Sequence, residues 1–208
     1  MENFHGKIKL FTCIFLVLLV GCFDKKNEFN LSDIHFEEGD IVFRKGLSTK
    51  SNAVLYADKD GIYSHVGIIV KPEPDSGFVV IHITPGEREK EGKEDRIKME
   101  SLEQFFSPKR AENGAVVRLK DSLEYAEIAA KEALRLYQKG ILFDHDYDLE
   151  DSTKMYCTEL IWNAYLSGGK DITSGRRSEI ENAPIYSGTY IFPSDILKDD
   201  ALTLIYQF

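Results

Sequence analysis

The chain has 208 residues, of which 43% are hydrophobic and 12% aromatic, and its formal net charge is −9. That length holds one ordinary domain with a short leader and enough apolar material for a core, and it leaves little room for a second full domain. The acidic balance, with no basic stripe, excludes a nucleic-acid partner, because a duplex binder needs a cationic face to displace counterions.

The first residues read as a leader. Lys7 and Lys9 precede an apolar run from Leu10 to Val20, interrupted only by Thr12 and Cys13, which ends at Leu19-Val20-Gly21-Cys22. The three-part pattern is that of an export signal, and the run is short for a membrane span. A small residue just before a cysteine is similar to the lipobox of bacterial lipoproteins, so residues 1–21 are expected to be removed and Cys22 acylated. The alternative is an uncleaved anchor helix. Both readings place the domain outside the cytosol and on a membrane. Phe23 stands where an inner-membrane retention aspartate is expected, which points to the outer membrane if the host has one.

Residues 22–35 are polar and read as a tether, with the domain spanning 36–208. Gly39-Asp40 is a turn before the strand Ile41–Arg44, while residues 48–60 give no clear pattern. Ser64–Lys71 and Gly77–Thr84 are rich in β-branched residues and flank a segment dense in turn formers, which predicts a hairpin. The charged stretch 87–96 reads as a solvated loop. Ser101 and Gln104 have capping-box spacing for a short helix reaching Phe106. Ala115–Leu119 is a further strand. The next helix has Asp121 as its expected cap, an apolar face of Ala126, Ala129, Ala130, Ala133, Leu134 and Tyr137, and Gly140 as its end. An acidic, aromatic loop follows, then a helix from Cys157 to Leu166. After an irregular stretch, Leu202–Tyr206 is the last strand.

Three cysteines are present. With Cys13 lost in the leader and Cys22 acylated, Cys157 is left without a disulfide partner in an oxidising compartment. Such a thiol is either buried and inert or kept for its chemistry. Its expected place at a helix N-terminus favours the second reading, since unpaired amides and the helix dipole favour a thiolate and can hold an oxyanion. His65, on the first strand of the hairpin, supplies the candidate base, and His82, on the second, can lie beside it and fix its orientation. Taken alone, His65 is more readily a core histidine satisfied by a backbone carbonyl, and His82 is as readily an ordinary surface position in an alternating strand; pairing His65 with the lone thiol favours the catalytic reading.

Gly39-Asp40-Ile-Val-Phe-Arg, Ser64-His65-Val-Gly-Ile and Tyr156-Cys157-Thr158-Glu159-Leu160, in this order, resemble the YiiX/YaeF-like proteins. These are circularly permuted members of the NlpC/P60 papain-like superfamily. The resemblance covers roughly residues 36 to 200. It implies an α+β fold with a small antiparallel sheet packed on the helix that carries the catalytic cysteine. It also implies Cys157 as nucleophile, His65 as base and His82 in the third position. That third position is usually acidic in the nearest relatives, and a histidine there is similar to the lecithin:retinol acyltransferase-like enzymes.

The expected function is an exported thiol hydrolase that cleaves amide bonds in a peptide or cell-wall-type substrate through an acyl-enzyme. One alternative is an acyltransferase, or a hydrolase of lipid esters or amides, on the same residues. Another is a non-catalytic envelope-binding module. No cofactor is expected, and no close spacing of ligands from His65, His82, His145 and Cys157 supports a metal. Asp144, Asp146, Asp148 and Glu150 alternate like a calcium loop, but Leu149 stands where the turn needs glycine and Met155 where a bidentate carboxylate is needed.

Overall fold

The structure is a computed structural model and describes residues 31–86, 94–120, 122–181 and 187–208. The leader, Cys13, Cys22, most of the tether, residues 87–93 and the capping Asp121 lie outside the described residues.

After a 3-10 turn at Leu31–Asp33 come β1 (Ile41–Gly46), α1 (Thr49–Ala57), β2 (His65–Val70), β3 (Val79–His82), β4 (Lys98–Ser101), α2 (Leu102–Phe105), β5 (Ala111–Leu119) and α3 (Leu123–Lys139). The chain continues through β6 (Leu142–Phe143), β7 (Lys154–Met155), α4 (Cys157–Leu166), β8 (Ser178–Ile180), β9 (Gly188–Tyr190), α5 (Pro193–Leu197) and β10 (Leu202–Gln207). Six strands pair antiparallel in the order β10-β5-β1-β2-β3-β4. The expected hairpin is β2–β3, with Ile68 opposite Ile81 and Val70 opposite Val79. The expected last strand, β10, forms the sheet edge beside β5.

Alternation along the strands divides the buried side chains between two faces. Ile41, Phe43, Val66, Ile68, Val70, Ile81 and Val117 join the main core with Ala129, Ala130, Ala133 and Leu136 of α3 and Leu160, Ile161, Ala164 and Tyr165 of α4. Val42, Ile69, Val80 and Val116 face the other way, into a smaller core with Phe36, Leu102, Phe105 and Phe106. With both faces covered, β2 is buried along its whole length, which is why residues 66–70 read as an unbroken apolar run.

Helix boundaries follow their local chemistry. The capping box of α2 forms as expected, with the Ser101 hydroxyl accepting from the Gln104 amide and the Gln104 side chain accepting from the Ser101 amide. Gly140 ends α3 in the left-handed conformation, where a glycine avoids the steric penalty of a Cβ. The stretch 48–60, which gave no pattern, contains α1, a helix with no buried residue and therefore no apolar periodicity to read.

Candidate active site

The site is assembled where β2 begins and α4 begins. Cys157 is the first residue of α4, as expected, and His65 is the first residue of β2. The Cys157 sulfur accepts hydrogen bonds from the backbone amides of Val66, Thr158 and Cys157 itself. Val66 follows His65 directly, so the thiol meets β2 one residue from the imidazole. The site straddles the start of the strand. The thiol arrives from the α4 side, while the His65 ring lies against Phe105 on the smaller-core face, with ring centroids 5.6 Å apart.

His65 and His82 are brought together directly. Nε2 of His65 lies 2.8 Å from Nδ1 of His82, and both residues are buried. The contact follows from register, because His65 and Gly67 on β2 and Val80 and His82 on β3 project from one face. His145, weighed as a metal donor, is exposed beside Asp95.

A residue that the sequence did not single out completes the row. Glu100 of β4 stands opposite Val80, and its Oε1 lies 2.8 Å from Nε2 of His82. Its other oxygen accepts from Arg110 at 2.7 Å, and Lys98 lies 3.9 Å away. Arg44, opposite His65 on β1, comes within 4.0 Å of Glu100, donates to the Phe105 carbonyl at 2.8 Å and lies over the Phe105 ring. In the sequence, Lys98-Met99-Glu100 offers one weak signal: alternation places Glu100 and Lys98 on one face of a strand, but nothing there tells which strand is the neighbour.

Electrostatics keep the row neutral apart from its acid. Burial drives His65 well below the ordinary histidine value, and the positive charge of Arg44 adds to the effect. Burial takes His82 to about 4, against the upward pull of its bond to Glu100. Burial raises the Glu100 carboxyl, but the His82 bond and the Arg110 and Lys98 cations prevail and bring it to about 2. Cys157 departs from the expected thiolate. It keeps partial exposure, yet burial pushes its thiol up to about 11, outweighing the three amides and Arg44 that pull it down. The helix terminus acts in the expected direction, and desolvation of the sulfur is the larger effect. At neutral pH the resting site therefore holds a thiol, two neutral imidazoles and one carboxylate.

The surroundings of α4 fix its start. The Glu159 side chain accepts from the Tyr156 amide at 3.3 Å, and Thr158 donates its hydroxyl to the Ile191 carbonyl at 2.6 Å. The Tyr156 hydroxyl accepts from the Ile191 amide at 3.0 Å. In the acidic loop before β7, Asp144 is fully buried and accepts from the amides of Asp146 and Asp148, so the alternating acids close a turn around it.

Comparison with known proteins agrees with this architecture. No curated protein sequence matches the chain. A crystal structure described as that of the metalloprotein YiiX from Escherichia coli O157:H7 superposes with a TM-score of 0.64 at 20% identity, covering 83% of this chain and 97% of that one. At that identity the likeness shows the fold. The sequence profile of the permuted papain-like amidase enzymes, YaeF/YiiX, C92 family, matches residues 35–206. This chain, with its cysteine at the head of a helix placed after the histidine strands, belongs to that family of papain-like cysteine amidases.

Proposed function

We propose that this chain is an exported, lipid-anchored thiol amidase with Cys157 as nucleophile, His65 as base and His82 as the group that orients His65. The observation that carries the reading is a thiol at the head of α4, bonded by the amide of Val66, the residue that follows His65, whose buried ring is joined to that of His82 at 2.8 Å. With thiol and imidazole both neutral at rest, the base works during attack rather than before it. The proton leaves sulfur for His65 Nδ1, the ring nitrogen not engaged by His82, which has to reach the thiol around the end of β2. Sulfur bonds to the amide carbonyl carbon, and the carbonyl oxygen takes the electron pair. The amides at the head of α4 are placed to stabilise that oxyanion. When the C–N bond breaks, His65 returns its proton to the leaving amine, leaving a thioester. Water then adds, gives its proton to His65 and releases a carboxylic acid and the thiol. Peptide amides of cell-wall type suit an exported enzyme.

Among the described residues, no group of three or more His, Cys, Asp or Glu is placed to hold a metal ion, and both ring nitrogens of His82 are already engaged.

The test is hydrolysis of a panel of peptide p-nitroanilides. Cys157→Ala is expected to abolish turnover, and His65→Ala to slow it by about 10²- to 10⁴-fold. Turnover retained by folded Cys157→Ala would remove the thiol from the mechanism, and a folded native chain without turnover on any member of the panel would favour a binding module.

A further inference from the structure

We propose that Glu100 is a positioning residue that sets the order of protons along His82 and His65, so that the nitrogen of His65 left bare is Nδ1. The inference rests on the reading of His65 as the base for Cys157, and it concerns a residue two strands away from that base.

The argument is one of donors and acceptors. Glu100 Oε1 lies 2.8 Å from His82 Nε2. An ionised carboxylate only accepts, so His82 Nε2 carries the hydrogen. A neutral imidazole has one N–H, which leaves His82 Nδ1 bare and able only to accept. Its partner at 2.8 Å, His65 Nε2, must then be the donor. His65 in turn has its single hydrogen on Nε2 and a lone pair on Nδ1. The charge on Glu100 thus fixes the tautomer of a ring it does not touch. A proton on His65 Nδ1 would block it as a base, and the ionised carboxylate excludes that arrangement.

Two features hold the order in place. His82 has no solvent exposure, so water cannot offer its Nδ1 a competing donor. Arg110 Nη1 donates to Glu100 Oε2 at 2.7 Å, which pins the carboxylate with its other oxygen towards His82. Lys98 and Arg44, at 3.9 and 4.0 Å, keep the acid ionised. Arg110 also determines what an isosteric amide would do. In Glu100→Gln, Arg110 retains the side-chain oxygen, so the NH₂ turns to His82. That NH₂ donates to His82 Nε2, His82 Nδ1–H donates to His65 Nε2, and the His65 hydrogen moves to Nδ1. Both tautomers reverse.

The experiment is nitrogen-15 NMR of the imidazoles in the full chain at neutral pH, with and without Glu100→Gln, alongside the rate of Cys157 alkylation by iodoacetamide. The native protein is expected to show protonated Nε2 and bare Nδ1 on both His65 and His82. The variant is expected to show the reverse on both rings, with alkylation slowed by about 10²-fold or more. A bare Nε2 on either ring of the native protein overturns the proposal, and so does a folded variant with unchanged tautomers. Should removal of the acid from among three cations prevent folding, the native spectrum alone still decides. Reversed tautomers with an unchanged alkylation rate would support the proton order while removing His65 as the base for Cys157, which separates failure of the two readings.

Discussion

Glu159, two residues after the thiol, is a carboxyl with almost no contact with solvent. Burial pushes it up to about 8, against the Tyr156 amide that favours its charge, and the nearby Asp144, Asp151 and Asp148 raise it further. It is therefore mostly a neutral acid at pH 7, still accepting from the head of α4. The consequence for stability has a definite sign. Between the ordinary glutamate value of 4.5 and about 8, the folded chain holds a proton that the unfolded chain has lost, so stability falls as pH rises through that window. At pH 7 the penalty is about 3 kcal/mol, at 1.36 kcal/mol per pH unit. Glu159→Gln keeps an acceptor for Tyr156 and removes the ionisation. Its melting temperature is expected to equal or fall below that of the native chain near pH 4.5 and to exceed it at pH 8. His65 and His82 act in the opposite direction, destabilising the fold as pH falls below about 6.5, but they are common to both proteins and cancel in the difference. Parallel melting curves, offset equally at all pH values, would show that Glu159 titrates normally.

At the scale of elements, the approach of β2 to β3 depends on Gly67. A Cβ there would lie 2.5 Å from Cγ1 of Val80 and 3.2 Å from Cβ of His82. The first distance is shorter than real contacts allow, so Gly67→Ala must push β3 away and carry His82 from His65. A loss of about 1–3 kcal/mol is expected, with reduced hydrolysis, since overpacked positions in a full core cost that much. Gly77→Ala is the control: it lies in the same hairpin with nothing within 4 Å of the added Cβ. Equal melting temperatures and rates for the two variants would show that the strands have slack at Gly67. This also explains what the sequence could and could not convey. The hairpin, the capping box of α2, α3 and the start of α4 are local patterns, and each lies where periodicity or turn chemistry placed it. The candidates Cys157, His65 and His82 could be singled out in the sequence because each sits in one of those patterns. Glu100 could not, because its meaning comes from β4 pairing with β3 across a long connection, and register is a tertiary fact. The raised thiol was not legible either. A helix terminus can be read from sequence, whereas the desolvation that opposes it depends on what packs above the sulfur.

For the whole molecule, the proposed membrane attachment rests on a segment outside the described residues. Among the described residues no helix is long and apolar enough to cross a membrane. The sequence as a whole carries a net charge of −9, which gives anionic lipid surfaces little to attract. The apolar run Leu10–Val20 would extend only about 16 Å as a helix, against a hydrocarbon core of about 30 Å. Attachment by acyl chains on Cys22 therefore suits the chain better than a span, because each buried methylene contributes about 0.8 kcal/mol and two chains hold a protein stably. The two anchors differ in what Cys22→Ala does when the full chain is expressed in a lipoprotein-processing host. With an acyl anchor, the variant is expected to leave the membrane fraction, while its melting temperature and Cys157 alkylation stay native, since the family match begins only at residue 35. Persistence in the membrane with residues 1–21 still attached would instead make the apolar run itself the anchor, and the acylated cysteine would be withdrawn.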